Sequence, residues 1–217
     1  MSETKKVKYK NTPLYTAARV VANILFRAIF PTKYEGTENI PKSHGFLLCS
    51  NHRSLLDPLI IGIPIPQQMR FMAKDSLFRN RFFSWLITRL GAFPIKRGSA
   101  DTKAVDTSMG ILQEGGVLVV FPEGTRSKTD ELLPHKAGAA LIASRSGGDV
   151  LPCAVSWKGK LRPFRRIVVR YGDLNPNEEI RIQGVSKTEI KAVMLRIQDA
   201  VASLYGYPEP RGTQLES

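Results

Sequence analysis

Short, wholly apolar runs alternate along this chain with longer segments in which apolar residues recur every three or four positions. Phe46–Cys49 and Val117–Phe121 are the clearest short runs, and 187–205 is the clearest long segment. A strand without alternating polar residues is buried on both faces, as in a parallel sheet covered by helices. The alternation therefore predicts an α/β fold with a mostly parallel central sheet flanked by helices.

The same patterns place the expected elements along the chain. Strands are predicted near 33–37, 46–50, 70–73, 92–96, 117–121, 150–155 and 167–171, and helices near 58–63, 76–90 (with a break at Arg79 and Asn80), 101–114, 136–146 and 187–205. A chain of 217 residues is long enough for one domain with a substantial core. We expect this domain to cover 33–206, between an N-terminal segment, 1–32, and a disordered tail, 207–217.

The N-terminal segment combines a basic tail, 1–10, with an amphipathic helix near 14–30. Thr12 is the expected N-cap, and Pro13 the first helical residue. A narrow polar stripe crosses an otherwise apolar surface, and its members are Arg19, Asn23 and Arg27. Such a helix either packs on the core or lies in a membrane interface with its arginines at headgroup level. One helix can do both.

The charge of the chain is strongly positive: 32 Lys and Arg against 19 Asp and Glu, or +13 at neutral pH. Such a surface attracts nucleic acid, anionic lipid or an acidic protein. Nucleic acid is the distant alternative, since the aromatic residues lie in apolar runs rather than among the cations. No apolar run is long enough to suggest a membrane-spanning helix.

Two cysteines, Cys49 and Cys153, lie in apolar strand-like runs and are expected to be buried free thiols in a reducing compartment. No cluster of Cys and His has the spacing of zinc ligands, so we expect no metal. The sequence also shows no nucleophilic-serine elbow, no Walker loop and no dinucleotide fingerprint.

An imidazole and a carboxylate, His52 and Asp57, follow the first buried run within the segment Asn51–Asp57. Neutral imidazole accepts a proton near pH 7, and a carboxylate on its other nitrogen fixes the tautomer and stabilises the imidazolium. Five residues along one helix rotate about 140°, so the segment must turn between them. Pro58 favours a helix start with Asp57 as N-cap. A general base and a simple helix cap beside a polar strand end both remain open.

A second polar segment follows the other buried run. Gly124 lets the backbone approach a ligand, Thr125 offers a hydroxyl, and Arg126 offers a bidentate fork suited to phosphate. Glu123 is unusual in an anion site, where it would orient a guanidinium or accept a hydrogen bond from a substrate hydroxyl. The alternative is a polar turn with a surface ion pair of little energetic value.

Basic residues stand at two further element ends. Lys96 and Arg97 follow the strand at 92–96, and Lys136 lies near the start of the helix at 136–146. Each alone indicates little. In α/β sheets, however, sites form beyond the carboxyl ends of strands, where His52 and the Arg126 segment are also expected. A base without a protein nucleophile indicates direct activation of a substrate hydroxyl.

Four segments together resemble the glycerophospholipid acyltransferases, notably the 1-acylglycerol-3-phosphate acyltransferases. Asn51–Asp57 resembles the family's His-x4-Asp motif, and Phe121–Ser127 resembles its third block. The stretch 73–97 resembles the second block, which ends in a glycerophosphate-binding Arg, and 150–154 resembles the fourth, whose Pro shapes the site. The resemblance covers roughly 33–158.

The resemblance implies an acyltransferase domain over 33–206 in which His52, oriented by Asp57, deprotonates the free hydroxyl of lysophosphatidate. The alkoxide then attacks the thioester of acyl-CoA or acyl carrier protein, which is a co-substrate rather than a cofactor. It also implies that the phosphate is held by Arg97, Glu123, Gly124, Thr125 and Arg126, and that the site is shaped by Asn51, Lys96, Lys136 and Pro152.

The resemblance further implies a peripheral protein on the cytoplasmic face of a membrane, where a basic face and an interfacial helix dock on anionic lipid. The alternative within the family is an acyltransferase for glycerol 3-phosphate or another lysolipid. It would share His52 and Asp57 and differ in the acceptor pocket.

Overall fold

The computed structural model describes residues 11–96, 101–180 and 186–206. The described strands are β1 (Thr32–Glu35), β2 (Phe46–Ser50), β3 (Met69–Lys74), β4 (Ala92–Ile95), β5 (Val117–Val120), β6 (Asp149–Ser156) and β7 (Ile167–Tyr171). The helices are α1 (Pro13–Ile29), α2 (Asp57–Ile60), α3 (Arg81–Arg89), α4 (Thr102–Gln113), α5 (Ala137–Ser146), α6 (Asn177–Ile180) and α7 (Lys187–Leu204). Two 3₁₀ turns cover Thr37–Asn39 and Asp75–Phe78.

The strands form one sheet in the order β1–β7–β6–β2–β5–β3–β4. Neighbouring strands are parallel except β6 and β7, which are antiparallel. The predicted α/β fold with a mostly parallel sheet is therefore confirmed. Five strands, from β6 to β4, end at the same edge, and this edge carries the polar segments of interest.

Strand β2 lies in the middle of the sheet and divides the core into two layers. Phe46 and Leu48 pack on one face with Phe26 of α1, whereas Leu47 and Cys49 pack on the other face with residues of α4, α5 and α7. Successive side chains of a strand point to opposite faces, so a central strand needs apolar residues at every position. This is why Phe46–Cys49 contains no polar residue.

Helix α1 begins as predicted, because the Thr12 side chain accepts a hydrogen bond from Tyr15 N and Pro13 is the first helical residue. For Arg19, its orientation differs from the expectation of a side chain at headgroup level. Arg19 turns toward the protein and donates from Nη1 to the carbonyl of Ile65, 3.0 Å away. Phe26 is buried in the core. The outward face is apolar and is formed by Val20, Val21, Ile24, Leu25 and Ile29.

Other boundaries differ in detail from the prediction. The helix expected at 58–63 is the single turn α2, and α6 and the 3₁₀ turn at Thr37–Asn39 were not predicted. The break near Asn80 is confirmed, since Asn80 caps α3 by accepting from Phe83 N. The predicted tails 1–10 and 207–217 lie outside the described residues. Both cysteines are buried free thiols.

No helix within 11–96, 101–180 or 186–206 has the length and hydropathy needed to cross a bilayer.

The orientation of α1 gives a stability prediction. Phe26→Ala removes a ring that is 8% exposed, so we expect the free energy of unfolding to fall by about 3–5 kcal/mol. Ile24→Ala, on the face where this side chain is 63% exposed, should change it by less than about 0.5 kcal/mol. Urea unfolding of both variants is the measurement. Equal losses for the two variants would contradict this orientation of the helix.

Candidate active site

Three adjacent strands, β6, β2 and β5, end side by side at the carboxyl edge of the sheet. The segments that follow them begin at Trp157, Asn51 and Phe121. His52 and its partners are positioned by one of these strand ends or by a hydrogen bond between the segments.

The side chain of Asn51 forms hydrogen bonds with the neighbouring strand β6 at the point where β2 ends. Its Nδ2 donates to the carbonyl of Val155, 3.0 Å away, and its Oδ1 accepts from Val155 N at 2.8 Å. The amide thus replaces a backbone pair between β2 and β6, and it is fully buried. The predicted shaping role of Asn51 corresponds to this contact, which fixes where His52 leaves the sheet.

His52 and Asp57 are in direct contact. Nδ1 of His52 lies 2.8 Å from Oδ2 of Asp57, and both residues are buried. A carboxylate on Nδ1 holds the proton there, so Nε2 is the ring nitrogen that accepts a proton. The pair therefore has the arrangement of an oriented general base.

Asp57 also organises the turn before α2. The same Oδ2 accepts from the backbone nitrogens of Arg53, at 2.6 Å, and Ser54, at 2.8 Å. The expectation that Asp57 is the N-cap of the helix is wrong, because the N-cap is Leu56 and Asp57 is the first helical residue. Its side chain faces backward into the turn, and this lets it reach a histidine five positions earlier.

The imidazole of His52 contacts the first residue of the segment 121–127. Its ring stacks on Phe121 with a centroid separation of 4.1 Å and an interplanar angle of 21°. The carbonyl of His52 accepts from Ser127 N at 2.8 Å. The candidate base and the candidate anion-binding segment therefore form one structural unit, although 64 or more residues separate them in sequence.

Glu123 makes a different contact from the predicted one. Its carboxyl group is not presented for phosphate, because the residue is only 2% exposed and Oε1 accepts from His52 N at 3.4 Å. Within the described part of the chain, Oε2 has no hydrogen-bond partner. Burial raises the pKa of Glu123 to about 7, and the nearby charge of Asp57 adds to the effect.

Gly124 and Lys136 lie against each other. The backbone of Gly124 has a φ of +70°, and a Cβ there would stand 2.9 Å from Nζ of Lys136. Lys136 also fixes the segment by donating its backbone N–H to the carbonyl of Pro122 at 2.8 Å. Thr125 and Arg126 are exposed on the same segment. The structure thus brings a hydroxyl, a guanidinium and an ammonium group to one loop.

Arg53 connects all three strand ends. Its guanidinium lies 4.4 Å from the ring centroid of Trp157 and donates to the Trp157 and Gly159 carbonyls. It also pairs with Asp130, beyond the segment 121–127. No local pattern could reveal this role, because every partner is distant in sequence.

The remaining predicted residues lie elsewhere. Lys96 is exposed at the end of β4, three strands and about 14 Å across the sheet from β2. Arg97 lies outside the described residues. Pro152 pairs with Cys49 within the sheet, before the strand end, and lines a cleft with Tyr171 and Leu204. It does not lie at the same level as His52.

The comparison with known families agrees with this geometry. The family described as Acyltransferase matches residues 31–156, which is more than half of the chain. The chain therefore belongs to the acyltransferase family.

Relatives at the level of sequence share one description, 1-acyl-sn-glycerol-3-phosphate acyltransferase. The protein from Bacillus subtilis is 32% identical over 56% of this chain and 61% of its own length. The protein from Streptococcus pneumoniae is 31% identical over 91% of this chain and 75% of its own. The match to the Bacillus relative thus spans less than two thirds of that protein.

A solved structure shows the same fold over nearly the whole chain. The crystal structure of the 1-acyl-sn-glycerophosphate (LPA) acyltransferase from Thermotoga maritima is 25% identical, with a TM-score of 0.70. The alignment covers 90% of this chain and 81% of that protein.

The buried carboxyl of Glu123 predicts a pH dependence of stability. The folded protein keeps its proton up to about pH 7, whereas the unfolded chain releases it near 4.5. The stability that this carboxyl group contributes is thus fully present below pH 4.5 and is lost as the pH rises toward about 7. Relative to wild type, we expect Glu123→Gln to gain about 3 kcal/mol of unfolding free energy across that interval.

Urea unfolding at a series of pH values measures this gain. Glu131→Gln, which changes an exposed side chain nearby, is the matched control and should follow the wild-type curve. Parallel curves for Glu123→Gln and wild type would contradict the assignment.

Proposed function

We propose that this protein transfers a fatty acyl group from a thioester donor to the sn-2 hydroxyl of 1-acylglycerol 3-phosphate, giving phosphatidic acid for phospholipid synthesis. The observation that carries the proposal is the pairing of His52 with Asp57 at 2.8 Å, with the imidazole stacked on the first residue of the segment that bears Arg126. The proposed proton acceptor and the proposed anion-binding loop thus meet at the carboxyl edge of the sheet.

In this proposal Nε2 of His52 takes the proton of the acceptor hydroxyl as the oxygen attacks the thioester carbonyl. Collapse of the tetrahedral intermediate breaks the C–S bond, and the thiolate receives the proton from His52. Asp57 stays ionised and stabilises the imidazolium between the two proton transfers. General-base assistance of this kind contributes about 10²–10⁴-fold to a rate.

The acceptor phosphate is bound by the exposed groups of the segment 121–127 in this scheme. Arg126 supplies the bidentate fork, Thr125 supplies a hydroxyl, and Lys136 adds positive charge beside Gly124. Arg97, which follows Lys96 in the sequence, is proposed to complete the site. Binding the headgroup on the loop next to His52 makes the proton transfer effectively unimolecular, which is worth several kcal/mol.

The donor is acyl-CoA or acyl carrier protein, and one assay resolves both donor and acceptor. Purified protein is given lysophosphatidate or glycerol 3-phosphate, each with either donor, in detergent micelles. Transfer to lysophosphatidate supports the proposal. Transfer to glycerol 3-phosphate alone would replace it with the other acceptor class, and absence of transfer with all four pairs would refute it.

We also propose that the protein is peripheral and docks on the cytoplasmic face of a membrane through α1. The support is the outward apolar face of this helix, on which Ile24 and Leu25 are more than half exposed. Exposed apolar faces of this kind are typical of contacts with lipid or protein. Replacing both residues by serine is expected to weaken sedimentation with anionic vesicles.

Removing the imidazole tests the catalytic role. His52→Ala should lower kcat by about 10²–10⁴-fold, because it removes the proposed general base. The chain offers a matched control, since His44 pairs with Asp149 at 3.1 Å before the start of β2, at the opposite edge of the sheet. His44→Ala should keep wild-type kcat. A His52→Ala enzyme that turns over normally would remove this residue from the mechanism.

Removing the guanidinium tests phosphate binding. Arg126→Ala should raise the KM for lysophosphatidate about 10- to 100-fold, the value of a charge-assisted contact, with little change in the KM for the donor. Lys42→Ala, which removes one exposed cation at the amino edge of the sheet, is the control for net charge. A change confined to donor kinetics would contradict the assignment.

A further inference from the structure

The loop between β6 and β7 is the most concentrated positive segment at the carboxyl edge of the sheet. We call residues 158–166 the basic loop; it contains five cations: Lys158, Lys160, Arg162, Arg165 and Arg166. The sequence from 157 to 170 contains no Asp or Glu. Lys158, Lys160 and Arg162 are exposed. None of these residues belongs to the proposed catalytic site.

An exposed aromatic ring lies within this loop. Phe164 is 77% exposed, and its φ of +61° is the one positive φ of a non-glycine residue in the described part of the chain. Bulky residues rarely adopt this conformation, so the backbone alone would favour Gly or Asn there. The ring is not buried in the core, so core packing does not account for the strained conformation.

The ring continues the apolar face of α1. The backbone N–H of Phe164 donates to the carbonyl of Ile29, the last residue of the helix, at 2.7 Å. Val21, Leu25 and Ile29 follow one another at intervals of four, so they form one line along the helix that ends beside Phe164. An apolar strip from α1 thus ends beside a loop that contains an exposed ring and five cations.

The inner side of the basic loop is attached to the candidate active site. The backbone N–H of Gly159 donates to both carboxylate oxygens of Asp130, at 3.0 and 3.1 Å. Arg53, beside His52, donates to the Gly159 carbonyl and pairs with the same Asp130. A surface that binds this loop would therefore also orient the strand end that carries His52.

We propose that the basic loop is a second membrane contact, in which Phe164 inserts among the headgroups of an anionic leaflet while the lysines and Arg162 bind lipid phosphates. This deepens the proposed function and rests on it, because the loop would turn the site toward the leaflet that contains the acceptor. An acidic partner protein would use the cations, but it would not account for an exposed ring at the end of an apolar strip.

Three variants and one control test this by sedimentation with vesicles of phosphatidylglycerol and phosphatidylcholine, without substrate. Lys158→Gln with Lys160→Gln should bind about 25-fold more weakly, at roughly fivefold per cation. Phe164→Gly should bind about tenfold more weakly with an unchanged or higher Tm, because glycine is unstrained at this φ.

The third variant, Ile24→Ser with Leu25→Ser, tests α1 separately. The matched control is Lys187→Gln with Lys191→Gln, which removes the same charge from exposed positions on α7. This helix packs on the layer of the core opposite to α1. Salt screens the attraction between its lysines and the distant leaflet, so the control should bind vesicles within about twofold of wild type.

The outcomes separate the loop from the proposed function. The inference is overturned if neither loop variant weakens vesicle binding. It is also overturned if the α7 control weakens binding as much as the loop variants do. A further outcome would also overturn it. If the loop variants bind vesicles normally but lose acyl transfer only when acyl carrier protein is the donor, the loop binds an acidic protein instead. Acyl transfer to lysophosphatidate in detergent micelles should be retained by both loop variants, and its absence in the wild type would refute the enzyme function instead.

Discussion

The candidate site depends on one buried oxygen atom. Oδ2 of Asp57 accepts from the ring of His52 and from the backbone nitrogens of Arg53 and Ser54. A carboxylate without solvent is costly to bury unless donors replace the lost water, and here three donors of one turn bind Oδ2. The bonds that stabilise the carboxylate are therefore the same bonds that hold the imidazole in place, and folding of the turn and orientation of the base are inseparable.

Hydrogen bonds between strand ends extend this constraint. The backbone of His52 bonds both ends of the segment after β5, through Glu123 and Ser127. Asn51 bonds β6, and Arg53 reaches Trp157 and Asp130. Because the base and the exposed cations of the loop are attached to one rigid sheet edge, their spacing is set before a substrate arrives. Such preorganisation is how a small set of groups makes an acyl transfer efficient.

The net charge of +13 has a more specific meaning once the fold is known. Charge by itself indicates an acidic partner without saying which one. In the structure an apolar strip on α1 lies next to a ring and several cations, and this combination suits the interface of an anionic leaflet better than nucleic acid. The proposed membrane contact gives a role to residues that contribute nothing to the core, Ile24 and Phe164 among them.

The sequence alone determined the mostly parallel sheet, its seven strands in chain order, and the placement of the polar segments containing His52 and Arg126 at the ends of buried strands. These follow from local patterns: buried strands such as Phe46–Cys49 must be wholly apolar, and polar segments after them must meet at one edge. Only the tertiary structure decided that Asp57 faces backward rather than capping α2, and that the buried Glu123 carboxyl bonds the backbone of His52. The same is true of Arg19, which turns inward, and of Arg53, which connects three strand ends. Periodicity records which positions are apolar, whereas the partner of a polar group depends on chain segments that only folding brings together.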